Sequence, residues 1–98
     1  MHQGMKKEYH FKARIIQNGD MDAGYVIFPY DIRKEFGKGM VRVFALFDGV
    51  PYEGSIVNMG VKDEEGRISY IIGITKAIRK RIAKGFGDEI DVKITERE

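Results

Sequence analysis

Residues 73–94, GITKAIRKRIAKGFGDEIDVKI, decide the fold. They predict, in order, the end of a strand, a helix, a glycine stop and a further strand. Residues 26–44, VIFPYDIRKEFGKGMVRVF, follow the same plan, and the two stretches align when residues 78–80 are set on residues 32–34. A repeated supersecondary unit usually closes on its copy to bury a shared core. The repeat therefore predicts one domain built from two similar halves.

The composition restricts the chain to a single small domain. Its 98 residues are 43% hydrophobic and 33% charged, which suits one core. The net charge is only +2, so binding to nucleic acid would need a local basic patch. There is no cysteine, which excludes disulfides and fits a reducing compartment. Neither a signal peptide nor an apolar run of about 18 residues is found, so we expect a cytoplasmic protein without a membrane partner.

Alternation and chain-breaking residues predict the order β-β-α-β-β-β-α-β. Residues 1–7 have no period and indicate a disordered tail, leaving residues 8–98 as the domain. The first strand is expected over residues 8–17, and residues 40–48 are typical of a central strand covered on both faces. We expect Thr75 to cap the second helix and Gly85 to stop it. Because closing two halves removes exposed sheet edges, the sequence predicts a mainly β, six-stranded split pseudo-barrel with two short helices.

The repeated unit resembles a known half-barrel. Its residues are FPYDIR at 28–33 in the first copy and ITKAIRK at 74–80 in the second, each leading through glycines to a strand. They are similar to the swapped-hairpin half-barrel of transition-state regulators of the AbrB and MazE type. In that group two chains each contribute one half, whereas this chain carries both.

A second resemblance covers nearly the whole chain. It rests on residues 11–13, 28–29, 41–43, 48–55, 59–60, 76–80 and 87–88. They resemble a family of small bacterial proteins known as a domain of unknown function, sometimes fused to a bacteriocin-protection domain of the OmdA type. The resemblance implies a split, helix-capped β-barrel and no particular activity.

The second helix suggests one candidate site because its charged residues are all basic. They are Lys76, Arg79, Lys80, Arg81 and Lys84. Most are expected opposite the buried stripe of Ile78 and Ile82, where Lys76, Arg79, Lys80 and Lys84 would contact phosphates of a nucleic acid. A solvated charged face, common on surface helices, explains the same pattern.

A second candidate site combines aromatic and polar residues around a glycine-containing strand. Its residues are Tyr52, Ser55, Asn58, Met59 and Tyr70. A barrel mouth lined in this way would hold a small ligand. Ordinary strand packing, with tyrosine hydroxyls at the rim, is the alternative.

Catalytic and metal patterns are weak throughout the chain. His2 falls in the expected tail, His10 points outward on strand one, and no spaced ligand set indicates a metal or a cofactor. We therefore favour a non-enzymatic module over an enzyme, binding an unknown protein or small molecule as a monomer or weak dimer. Nucleic-acid binding by the basic helix is the alternative. The expected core consists of Ile15, Val26, Phe28, Val43, Phe47, Ile72, Ile78, Ile82, Ile90 and Val92.

Overall fold

The computed structural model describes residues 7–97 and is mainly β. Its strands are β1 (Glu8–Arg14), β2 (Ile16–Gln17), β3 (Gly24–Phe28), β4 (Val41–Phe47), β5 (Val50–Val57), β6 (Tyr70–Ile74) and β7 (Glu89–Glu96). Two short helices, α1 (Ile32–Phe36) and α2 (Lys76–Arg81), follow β3 and β6. The disordered tail expected over residues 1–7 lies outside the described residues, apart from Lys7.

All strands belong to one curled antiparallel sheet, a half-barrel, in the order β1-β7-β4-β5-β6-β3-β2. The strands β1 and β2 stand at opposite ends of this order, yet only Ile15 separates them in sequence. The sheet therefore curls far enough for one continuous segment to supply both of its edges.

The strand count is seven, so the prediction of six was wrong. Residues 8–17, expected as one strand, change partner at Ile15, because β1 pairs with β7 whereas β2 pairs with β3. The Ile15 amide donates to the Asp88 carbonyl oxygen at 2.9 Å, and the Ile15 carbonyl oxygen accepts from the Gly87 amide at 2.7 Å. Because its amide and carbonyl bind these loop residues and not a neighbouring strand, Ile15 separates β1 from β2. Its side chain is buried.

The strand register relates the two copies of the repeat. Val26 of β3 pairs with Ile72 of β6, the residue that occupies the same position in the second copy. Ala45 of β4 likewise pairs with Ile94 of β7, its matching residue when the alignment is given a gap of three residues between the helix and the strand that follows it. Two antiparallel pairs that each join equivalent residues define an approximate two-fold axis between the copies.

The expected core is confirmed at nine of its ten positions. Ile82 is partly buried and packs against the core, and the others are buried: Ile15, Val26, Phe28, Val43, Phe47, Ile72, Ile78, Ile90 and Val92. Alternation in β7 places Ile90, Val92 and Ile94 inward, as a strand with one buried face requires.

The helix starts follow capping rules, but one predicted stop was wrong. The Thr75 hydroxyl accepts from the Ile78 amide at 3.2 Å, which confirms it as the N-cap of α2. The helix ends at Arg81, before Gly85, and Ala83 takes the left-handed conformation with φ of 59°. Ala83 therefore provides the change of direction that glycine was expected to provide.

The central strand β4 is covered on one face only, contrary to the prediction. Its inner residues are buried, whereas Phe44 is 44% exposed and Leu46 is 37% exposed on the outer face. Apolar residues on both faces of this strand therefore did not indicate that both faces are buried.

Candidate binding site

A groove of about 960 Å³ opens where two paired strands separate. The ladder between β3 and β6 ends at the pair Phe28 and Tyr70. Beyond this pair, residues 27–34 form one wall and residues 63–70 form the other. We call this space the Tyr30 groove, after the exposed aromatic residue on its first wall.

The first wall rests on a cluster of aromatic rings. Tyr30 is 47% exposed, and its ring centroid lies 5.4 Å from that of Phe28 and 5.4 Å from that of Tyr9. The Tyr9 hydroxyl donates to Glu35 Oε1 at 2.5 Å. Burial, reinforced by this bond to Glu35, raises the pKa of Tyr9 above its ordinary value, so the hydroxyl stays a donor. Tyr30 is thus held by neighbours that are themselves fixed.

The second wall is a folded turn held together by the Asp63 carboxylate. The Asp63 carboxylate accepts from the Glu65 amide at 2.8 Å, the Arg67 amide at 2.9 Å and Arg67 Nε at 3.2 Å. These bonds, led by the one from the Arg67 amide, lower the pKa of Asp63. A bridge between Lys62 and Ile68 closes the turn, which presents exposed Ile68 to the groove.

The matching position in the other half of the sheet is closed. There the loop before β3 meets α2, and Asp22 forms ion pairs with Lys76 Nζ at 2.9 Å and with Arg79 Nη1 at 3.2 Å. Arg79 is only 7% exposed, and its guanidinium carbon lies 4.7 Å from the ring centroid of Phe86. Among residues 7–97, no ion pair joins the two walls of the Tyr30 groove. Ion pairs therefore bridge one of the two equivalent positions, whereas the other has no such bridge among residues 7–97 and stays open.

The structure does not bring the five predicted ligand-binding residues together. Tyr70 lines the Tyr30 groove, whereas Tyr52 lines a separate cavity of about 450 Å³ beside the outer faces of β4 and β5. Neither cavity is lined by Ser55, Asn58 or Met59. Asn58 Oδ1 instead accepts from the Gly60 amide at 2.9 Å, and Met59 is 67% exposed.

Three of the four side chains predicted to contact phosphate already form ion pairs with carboxylates of the protein. Lys76 and Arg79 bind Asp22, as described above, and Arg79 faces inward rather than toward solvent. Lys84 Nζ lies 2.8 Å from Asp48 Oδ2, which raises the pKa of Lys84. Lys80 alone is exposed and has no ion-pair partner in the described part of the chain.

Sequence reasoning missed Tyr30, Ile68 and Lys34 as groove residues. The local signal for Tyr30 is Pro29, which follows the last residue of β3 and has no amide hydrogen for a further ladder bond. Nothing local indicates that Ile68 lies opposite, because its position depends on the pairing of β3 with β6.

The described residues show no cluster of three or more His, Cys, Asp or Glu side chains that could hold a metal ion. Helices of five and six residues are too short to cross a bilayer, and no other helix is found between residues 7 and 97. Hydrogen bonds to nearby residues contribute to every shifted pKa in this structure, which are those of Tyr9, Asp22, Asp48, Asp63 and Lys84.

Comparison with known proteins identifies the family. No curated protein matches the chain. A family model described as Domain of unknown function (DUF1905) matches residues 11–94, which confirms the resemblance to a domain of unknown function. The match takes in every strand of the sheet at least in part, and both walls of the Tyr30 groove. The chain therefore belongs to the DUF1905 family.

Proposed function

We propose that this domain is a non-enzymatic binding module that holds a small, largely apolar ligand in the Tyr30 groove. The observation that carries the proposal is the difference between the two equivalent positions of the fold. An ion pair from Asp22 closes one, while the other keeps an open volume of about 960 Å³. A cavity of this size lies at the upper end of the range for ligand pockets, roughly 300 to 1,000 Å³.

The surface of the groove supports an apolar ligand. Pro29, Tyr30 and Ile68 are exposed and line it, with Phe28 and Tyr70 behind them. Exposed apolar groups on two facing walls favour a ligand that removes them from water. Because the aromatic wall is fixed by packing against Tyr9, little ordering would be required on binding.

Nucleic-acid binding receives less support. Lys76, Arg79 and Lys84 are held by Asp22 and Asp48, so phosphate contacts would have to compete with existing ion pairs. Only Lys80 and Arg81 remain exposed on α2 without a partner among residues 7–97. We therefore do not propose it as a second function.

A neutral fluorescent probe, N-phenyl-1-naphthylamine, tests the proposal. We expect its fluorescence to rise on titration with the protein, because the groove shields it from water. Tyr30→Ser and Ile68→Ser should each weaken binding about tenfold, equivalent to about 1.4 kcal/mol. Met59→Ser is the matched control, since Met59 is exposed but lies outside the groove.

Heteronuclear NMR with the same probe locates its position on the protein. Shift changes should concentrate on Tyr30, Ile68 and Tyr70, and circular dichroism should show that each variant keeps its fold. Changes centred on Phe44 and Leu46, at the outer-face cavity, would contradict the proposal. So would equal affinity of the wild type and the Tyr30→Ser variant.

A further inference from the structure

The carboxylates that line the Tyr30 groove are engaged in bonds within the protein. Both Asp63 oxygens accept bonds from its own turn, at 2.8 to 3.2 Å. Asp31 Oδ1 accepts from the Arg33 amide at 2.9 Å as the N-cap of α1. These carboxylates therefore have a reduced capacity to accept hydrogen bonds from a ligand.

The hydrogen-bond donors that line the groove have fewer partners within the protein. Lys34 lines it from α1 and has no ion-pair partner among residues 7–97. In the same part of the chain, the hydroxyls of Tyr30, Ser69 and Tyr70 make no side-chain hydrogen bond. Arg67 differs, because its guanidinium is paired with Asp63 and Glu65. The groove thus offers one unpaired cation and three hydroxyls beside an apolar surface.

We infer that the ligand is an amphiphilic carboxylate, with an apolar body against Tyr30 and Ile68 and a carboxylate group at the Lys34 ammonium. This inference rests on the proposed function of the groove. A carboxylate supplies acceptors where the protein presents donors, and hydrogen bonds between ionised partners are about twice as strong as neutral ones. A single available cation suits a head with one negative charge, whereas a phosphate group normally gathers several cations.

The repeat supplies a matched control for Lys34. Lys80 occupies the same position in the second copy and is also exposed, but it lies on α2, where Asp22 closes the equivalent space. Substitution of Lys80 changes the net charge by the same amount as substitution of Lys34. Any difference between the two variants therefore reports on the groove and not on the charge of the whole protein.

The experiment is an NMR titration at fixed pH and salt with two matched pairs of ligands. Octanoate is compared with 1-octanol, and 4-phenylbutyrate with 4-phenyl-1-butanol, which separates an aliphatic from an aromatic body. We expect each carboxylate to bind about three- to tenfold more tightly than its alcohol. Lys34→Gln should abolish this preference while leaving the affinity for the alcohols unchanged, and Lys80→Gln should retain it.

Two results would overturn the inference, and they are distinguishable. If the alcohols bind in the groove as tightly as the carboxylates, or if Lys34→Gln keeps the preference, the carboxylate assignment fails and the apolar binding site stands. If none of the four ligands shifts the resonances of Tyr30 and Ile68, and the neutral fluorescent probe also fails to bind, the proposed function fails with it.

Discussion

Arg79 combines burial, charge and one unsatisfied atom. Its side chain contacts the Phe86 ring and donates to both the carboxylate and the backbone carbonyl oxygen of Asp22, each at 3.2 Å. Its Nε atom is buried without a hydrogen-bond partner in the described structure. An arginine in this position stabilises the fold through the packing of its stem as well as through its charge.

Two substitutions of Arg79 separate these contributions. Arg79→Ala should lower the free energy of unfolding by about 2 to 4 kcal/mol, because it removes the packing and the bonds to Asp22 together. Arg79→Met should cost only about 1 kcal/mol, since it keeps the stem and also removes the unsatisfied Nε atom. Urea denaturation measures both. Equal losses in the two variants would show that packing of the Arg79 stem contributes little.

Asp22 should make stability depend on pH in acid. Hydrogen bonds from Lys76 and then Arg79 lower its pKa below the ordinary value of 3.8. A lowered carboxyl pKa stabilises the folded state above 3.8, and this contribution is lost as the pH falls through the folded-state pKa. Asp22→Asn should therefore lower the urea midpoint at neutral pH, with a difference from wild type that narrows below pH 3.8.

The nearby Asp20→Asn is the control for this pH series, because Asp20 has no ion-pair partner among residues 7–97. Its urea midpoint should stay close to that of wild type in neutral solution. A constant difference between wild type and Asp22→Asn across the whole acid range would contradict the role given to the Asp22 ion pairs.

At the level of elements, the end of α2 contains conformational strain that can be relieved. Ala83 is exposed and has a φ of 59°, a region that costs residues with a Cβ atom roughly 1 to 2 kcal/mol. Ala83→Gly should therefore raise the free energy of unfolding by about 0.5 to 1 kcal/mol. Ala77→Gly, in the ordinary helical part of α2, should lower it by about 1 kcal/mol. Thermal unfolding of both variants tests whether the signs are opposite.

Local chemistry explains which elements could be predicted. The Thr75 hydroxyl caps a helix that begins at the next residue, and the alternation in β7 is visible within the strand itself. Both features depend on residues close in sequence, so both could be predicted. The break at Ile15 could not be inferred from sequence, because it depends on strand pairing. The residues before Ile15 pair with β7, and the residues after it pair with β3. The left-handed residue after α2, Ala83, was missed because glycine was assumed to take that conformation.

The candidate site was less predictable than the fold, for the same reason. Of the residues expected to bind a ligand, only Tyr70 lines the Tyr30 groove. Tyr30 and Ile68 are far apart in sequence and approach only because β3 pairs with β6. The burial of Arg79 depends on Asp22, which comes from a distant loop, so helical periodicity alone placed Arg79 on the wrong side.

In the whole molecule, most strand pairings join the two halves of the chain, and few lie within one half. Cutting the chain in the turn between β4 and β5 gives one half with β1 to β4 and another with β5 to β7. The pairings of β1 with β7, β4 with β7, β4 with β5 and β3 with β6 all join the halves. Within a half, β2 with β3 and β5 with β6 each contribute only two residue pairs.

This division predicts that neither half folds alone and that the two fold together. Fragments 1–48 and 49–98 should each give the circular dichroism of an unfolded chain, because a short two-stranded ribbon is marginally stable at best. Mixed in equal amounts, they should recover the β spectrum, with an unfolding midpoint that rises with concentration. Mutating Ile72 to Ala, in the buried centre of the β3–β6 pairing, should weaken assembly of the fragments. Cooperative unfolding of either fragment by itself would show that one half contains a sufficient core.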